Sequence, residues 1–178
     1  MIPRHKGGSA GPTFSSMHIG PLGEYMTLLY RGVSTEIHHR QGGRLIPTGS
    51  NVDIVMRRND ADRGAELRRD GTFQRFSSEV NTARGHQLVT GIHDGCFISI
   101  TEESRIAIPF ATNNGTTDGY VYVLDQRLFS PLGVVSIRFP DPRYPDEQEV
   151  SIRAADGGEI PQQIIVEVWP VSAGEYVA

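Results

Sequence analysis

The sequence predicts an α+β fold in which two packed β-sheets flank a cleft, with only short helices between the strands. Three observations lead there: short apolar runs bounded by glycine and proline crowd the second half, helical signals are brief, and no internal repeat is present. At 178 residues the chain holds about one domain. We expect residues 1–22, rich in Gly, Ser and Pro, to be a mobile leader, and residues 23–178 to be the folded domain.

The elements follow in order. Met26 to Val33 is a dense apolar and aromatic run ended by Gly32-Val33, a strand with Tyr30 and Arg31 on opposite faces. Glu36 to Arg40 predicts a short helix, stopped by Gly42-Gly43 and Pro47-Thr48-Gly49. The charges from Arg57 to Arg75 lack apolar periodicity and read as a solvated surface segment. Ser78 to Arg84 predicts a helical turn, with His86 to Gly91 beyond it. Cys96 to Thr101 alternates apolar and small polar residues and is a strand, and Glu102-Glu103-Ser104 is a helix start. Gly119 to Leu124, Gly133 to Val135, Glu147 to Ile152 and Ile160 to Val171 supply the remaining strands. Phe97, Tyr122, Val166 and Trp169 are the expected core residues.

Charge and composition remove several function classes. With 17 basic against 21 acidic residues the net charge is −4, which gives no general pull toward nucleic acid or anionic lipid. One cysteine, Cys96, cannot form an intramolecular disulfide and reads as a small buried hydrophobe. No apolar stretch is long enough for a membrane span, and no signal peptide is expected from residues 1–22, so no membrane partner is expected and the location stays open. His38-His39 do not share a face and have no ligand-spaced companions, so no metal is expected.

Three short motifs then stand in one order: Tyr30-Arg31-Gly32, Phe97-Ile98-Ser99-Ile100-Thr101, and Glu147-Gln148-Glu149-Val150-Ser151. They resemble the Arg, Ser-Thr-Ser and Glu-x-Glu elements of mono-ADP-ribosyltransferases, more narrowly the enzymatic A chains of cholera toxin and heat-labile enterotoxin. Gly42-Gly43-Arg44-Leu45-Ile46-Pro47, Ala83-Arg84-Gly85, Tyr120-Val121-Tyr122-Val123 and Gly157 to Gln163 extend the likeness over residues 28–171. Ile100 and Thr101 depart from the last two positions of Ser-Thr-Ser. Thr82 stands where those toxins carry a histidine, leaving His86 as a speculative substitute.

The resemblance implies an enzyme that moves ADP-ribose from NAD+, its only cofactor and used as substrate, to an acceptor, with release of nicotinamide. Breaking the nicotinamide–ribose bond develops positive charge on the sugar, which a carboxylate can stabilise. Glu149 is the candidate for that task, and Glu147, two residues earlier on the same strand face, for taking the acceptor's proton. Ser99 would hold Glu149 by a hydrogen bond, and Arg31 would bind the phosphates or ribose of NAD+ through its planar fork. Gly32 and Thr101 join Arg31 and Ser99 as expected NAD-binding positions. The Glu-x-Glu form implies a protein arginine as acceptor, and a toxin or effector as the kind of protein. With one cysteine and no matching C-terminal extension in this sequence, no toxin-type binding ring is expected. An NAD+ glycohydrolase, transfer to nucleic acid, and a degenerate binding module are the alternatives.

Overall fold

The computed structural model describes residues 27–53, 65–67, 73–75, 78–88, 95–140, 142 and 144–174. The expected leader, the end of the chain from residue 175, and most of the charged segment lie outside the described residues.

Eight strands and three α-helices are described: β1 (Leu28–Ser34), α1 (Thr35–Gln41), β2 (Ala65–Leu67), β3 (Phe73–Arg75), α2 (Glu79–Leu88), β4 (Ile98–Thr101), α3 (Ser104–Thr112), β5 (Gly119–Asp125), β6 (Val134–Ile137), β7 (Glu149–Ala154) and β8 (Ile165–Val171). The fold is α+β, but the two packed sheets expected from the sequence are replaced by one six-stranded sheet of order β6-β7-β4-β1-β5-β8 and a two-stranded ribbon, β2-β3. All the described strand pairings are antiparallel, and one isolated bridge, Asn51↔Gly95, is parallel.

The six-stranded sheet is continuous in order and uneven in strength. β1 and β5 are in register from Leu28↔Asp125 to Ser34↔Gly119, and β4 and β7 from Ile98↔Ile152 to Thr101↔Glu149. Between these halves, β1 and β4 share one register pair, Tyr30↔Thr101. The halves therefore diverge on one side of that pair, and the cleft lies in the divergence.

Local sequence explains the elements around it. Ser34 caps α1 by accepting from the Ile37 amide, and Gly42, at φ 61°, ends it in the left-handed conformation that glycine adopts without cost. One sheet face carries the main core, with Leu29, Val33, Ile98, Ile100, Tyr122, Leu124, Val150 and Ile152. On the other, α3 packs Ala107 and Ala111 against Val121, Tyr30 and Trp169. A third cluster, Ala83 with Cys96 and Phe97, seats α2, and Arg153 ties its first turn by donating to Glu79 at 2.7 Å. Two further expectations are decided here. Cys96 is fully buried and burial pushes its thiol pKa up, so it is a buried hydrophobe. Val166, expected in the core, is 45 % exposed because β8 is an edge strand, where Pro170 is also tolerated.

The approach of α3 depends on two glycines. A Cβ at Gly32 would stand 2.0 Å from the Ala107 carbonyl oxygen, and one at Gly119 would stand 2.0 Å from that of Ala111. Both obstacles are helix backbone, which cannot swing aside as a side chain can. Gly32→Ala and Gly119→Ala are each expected to lower unfolding free energy by about 1–3 kcal/mol, the cost of overfilling a packed interface. Urea denaturation checks this, and unchanged midpoints would show that α3 can lift without loss.

Candidate active site

The cleft has a volume of about 460 Å³, within the range of small-molecule sites. β1 brings Arg31 and Gly32 to it, β4 brings Ser99 and Thr101, the turn before β7 brings Glu147, and the first residue of β7 brings Glu149. All six residues singled out in the sequence thus line one cavity. Two residues outside that set, Phe110 of α3 and Tyr144, add aromatic side chains that are 58 % and 50 % exposed.

Glu149 is the more tightly held of the two cleft acids. The Ser99 hydroxyl donates to its Oε1 at 2.6 Å, and the Ser151 hydroxyl approaches the same oxygen at 3.4 Å. Ser99 and Ser151 are register partners on β4 and β7, so the sheet itself aims both hydroxyls at the carboxylate. Burial raises the Glu149 pKa above the usual carboxylate value, and the two hydroxyls and the Arg31 charge offset part of that rise.

His86 completes the line from the far side, with its Nε2 2.9 Å from the Ser99 oxygen. An ionised carboxylate only accepts, so the single Ser99 proton goes to Glu149 and the hydroxyl oxygen accepts from His86 Nε2–H. Burial, reinforced by the Arg31 charge, lowers the His86 pKa to about 4, so the ring is neutral at neutral pH and suited to this tautomer. Thr82 is elsewhere: it is fully buried and its hydroxyl donates back to the Ser78 carbonyl at 3.0 Å. The helical turn expected to end near Arg84 continues to Leu88, and this places His86 one turn beyond Thr82 on a similar face. The contact joins α2 to β4, so no local signal in the sequence marks it.

Glu147 corrects the strand argument. It was expected on β7, sharing a face with Glu149 through period two, but β7 begins at Glu149 and Glu147 sits in a 3₁₀ turn, Pro145–Glu147. Gln148 between them has φ 45° and ψ 44°, and this left-handed residue turns the chain so that both acids line the cleft. Two contacts fix the turn: Thr101 Oγ1 donates to the Glu147 carbonyl at 2.8 Å, and Gln148 Nε2 donates to Glu103 Oε1 at 2.8 Å. Burial and the charge of Glu149 raise the Glu147 pKa. The contact shown by Thr101 is therefore with the acidic turn.

Arg31 lies beside Tyr122 across β1 and β5, and its Nη1 donates to the Ser99 carbonyl at 2.6 Å. Burial lowers its pKa to about 10, which leaves it charged at neutral pH. A guanidinium has five N–H donors, so the bond to Ser99 leaves capacity for a bound anion. Gly32 serves the packing of α3 as described above and lines the cleft beside Arg31. Among the described residues, no group of three or more His, Cys, Asp or Glu could hold a metal ion, and no helix is long and apolar enough to cross a membrane.

A sheet opened at one strand pair, with an arginine on one lip and a hydroxyl-held glutamate on the other, agrees with what the comparison with protein families finds: the chain is an ADP-ribosyltransferase-like protein. Residues 28–152 match the family model described as NarE, and the chain belongs to the NarE family. That span contains all three motifs. No curated protein matches the sequence.

The neutral His86 has a consequence for stability. Its folded pKa lies below the ordinary 6.5, so the folded state takes up this proton less readily than the unfolded chain. The associated stability is complete above about pH 6.5 and is lost as pH falls toward 4. Unfolding free energies at pH 7 and pH 4 should show the parent losing on the order of 1–3 kcal/mol more than His86→Gln. Equal losses would mean that His86 is not held neutral.

Proposed function

We propose that the protein is an NAD+-dependent ADP-ribosyltransferase that transfers ADP-ribose to the guanidinium of a protein arginine and releases nicotinamide. The observation that carries this is the hydrogen-bonded line His86–Ser99–Glu149 facing the same cleft as Arg31 and Glu147. The cleft's chemistry fits a dinucleotide: a cation for phosphate, acids for ribose and acceptor, and a volume of about 460 Å³. Membership of the NarE family supports ADP-ribosyl transfer as the activity. The arginine acceptor and a toxin or effector role rest on the sequence resemblance.

When bound, NAD+ supplies a ribose–nicotinamide bond that breaks with its electron pair moving to the ring nitrogen, so that nicotinamide leaves neutral. Glu149, ionised and aimed by Ser99, accepts from the ribose 2′-hydroxyl and stabilises the positive charge that develops at C1′. This interaction strengthens toward the transition state and so raises the rate. His86 keeps the Ser99 oxygen occupied from behind, which commits the hydroxyl proton to Glu149. It stands in for the histidine whose place in the resemblance Thr82 occupies. Arg31 holds the phosphate side. Glu147 takes the proton released as a guanidine nitrogen bonds to C1′, and its raised pKa brings it closer to working pH. Thr101 acts through Glu147 by holding that residue's carbonyl, and Gly32 lets α3 close beside Arg31.

Of the two departures behind the degenerate-module alternative, Ile100 is 3 % exposed in the main core, where an apolar residue suits its site, and Thr82 is buried with its hydroxyl bonded to the Ser78 carbonyl. Of the Arg57 to Arg75 cluster, the ground for a nucleic-acid acceptor, Arg75 ends β3, while Arg57, Arg58, Arg63, Arg68 and Arg69 lie outside the described residues.

With agmatine as a soluble guanidine, the purified protein should release nicotinamide and form ADP-ribosyl-agmatine. Glu149→Gln should abolish both. Glu147→Gln should lower transfer about 10²–10⁴-fold while sparing much of the hydrolysis to water, because only the acceptor's proton is affected. Absence of nicotinamide release from the parent sinks the proposal, and release without agmatine modification favours a glycohydrolase. Both acids must be ionised, and both pKa values are raised. The acid limb of kcat/KM should therefore fall at a pH above the ordinary glutamate value, and a limb at or below 4.5 would contradict the burial of the pair.

A further inference from the structure

The middle residue of the acidic turn holds a conformation that its residue type does not favour. Gln148 stands at φ 45° and ψ 44°, in the left-handed region, where glycine sits without cost. Among the described residues two other non-glycine residues have positive φ, Asn113 and Asn114 at the end of α3, and asparagine adopts this region more readily than glutamine. A glutamine kept there needs a reason in its side chain. The structure shows one: Nε2 donates to Glu103 Oε1 at 2.8 Å.

Glu103 precedes α3 as its N-cap, yet its side chain makes no cap bond to the helix. Its carboxylate oxygens are turned instead to Gln148 and to Arg105. An ionised carboxylate only accepts, so it selects the Nε2 end of the glutamine and fixes the orientation of the amide. Two residues earlier in the chain, Thr101 Oγ1 donates to the Glu147 carbonyl at 2.8 Å. The acidic turn is thus closed against the junction of β4 and α3 at two points, one through its backbone and one through the Gln148 side chain. That junction is firm because α3 lies on the bare backbone of Gly32 and Gly119. Glu149 does not depend on the clasp, since Ser99 and Ser151 reach it from the sheet.

We propose that Glu103 is a positioning residue for the acceptor step. Through Gln148 it holds the acidic turn so that Glu147 faces the incoming nucleophile, and the ribose-side task of Glu149 is left to the sheet. The inference rests on reading Glu147 as the group that takes the acceptor's proton. Its consequence is that the clasp governs whether ADP-ribose goes to a guanidine or to water, because a loosened turn moves one acid and not the other.

Rates of ADP-ribosyl-agmatine formation, rates of NAD+ hydrolysis without agmatine, and Tm test this in the parent, Gln148→Gly, Gln148→Asn, Glu103→Ala and Glu103→Gln. Glycine and asparagine suit the left-handed backbone but fall short of Glu103. Both Gln148 variants should therefore keep Tm close to the parent's while transfer falls roughly 10–100-fold and hydrolysis changes less than about threefold. Glu103→Ala should show the same split, and Glu103→Gln, which retains an acceptor oxygen for Nε2, should recover most of the transfer. Combining Glu103→Ala with Gln148→Gly should cost no more than either change alone, as expected for two ends of one bond. Transfer by Gln148→Gly or Gln148→Asn equal to the parent's leaves Gln148 a backbone role only and overturns the proposal. Equal losses of transfer and hydrolysis also overturn it, since the clasp would then support the whole cleft. A parent that releases no nicotinamide, or releases it without modifying agmatine, overturns the reading of the cleft, and this inference with it.

Discussion

The site depends on the place where β1 and β4 part. Two strands that share one register pair leave backbone carbonyl groups facing an opening, and a carbonyl without a partner in a partly dry cavity costs free energy. Arg31 meets that need by donating to the Ser99 carbonyl at 2.6 Å, so a charged side chain does the work of a missing strand bond. The result is an opening inside a sheet that can hold a ligand without the two halves closing on each other. Ser99 is shared by this contact and by the contact to Glu149, so the cation and the principal acid are fixed by opposite ends of one residue.

The electrostatics follow from that geometry. Arg31 is charged and half-buried. Its field discourages protonation of His86 and favours ionisation of Glu149. Burial acts in the other direction on the acid, and burial plus Glu149 acts on Glu147. A neutral imidazole, a hydroxyl with one proton to give and a carboxylate that only accepts make a line whose polarity has one self-consistent arrangement. Such a line holds a side chain in place more firmly than any one of its bonds, since each member fixes the orientation of the next. The helices that flank it are placed by different means. α3 lies on the bare backbone of Gly32 and Gly119, and α2 is seated by Ala83, Cys96 and Phe97.

Much of the fold was legible from local patterns. The runs Met26 to Val33 and Gly119 to Leu124 carry the central pair β1 and β5, and Ser34 with Gly42 bounds α1 as capping chemistry requires. The misreadings share a cause. Period two put Glu147 on a strand, yet a left-handed Gln148, a conformation that side-chain type alone does not announce, ended the strand at Glu149. The full length of α2 is not legible in the sequence because its residues show almost no amphipathic pattern. Its buried face includes Thr82, bonded back to Ser78, Arg84, stacked on Phe139, and Gln87, which has no partner. The apolar neighbours of Val166 point to a core position, but which strand lies at the edge is decided by sheet order.

By itself, then, the sequence determined the α+β class, the central strands and the chemical types brought to the cleft, because strand alternation, caps and glycine stops act over a few residues. Only the tertiary structure decided that the sheet is one and opens between β1 and β4, that Glu147 reaches the cleft from a turn, that His86 stands behind Ser99, and that Gln87 is buried without a partner. Each of these joins residues distant in the chain or depends on what a third element leaves exposed. Those are properties of packing, and no local pattern of residues encodes them.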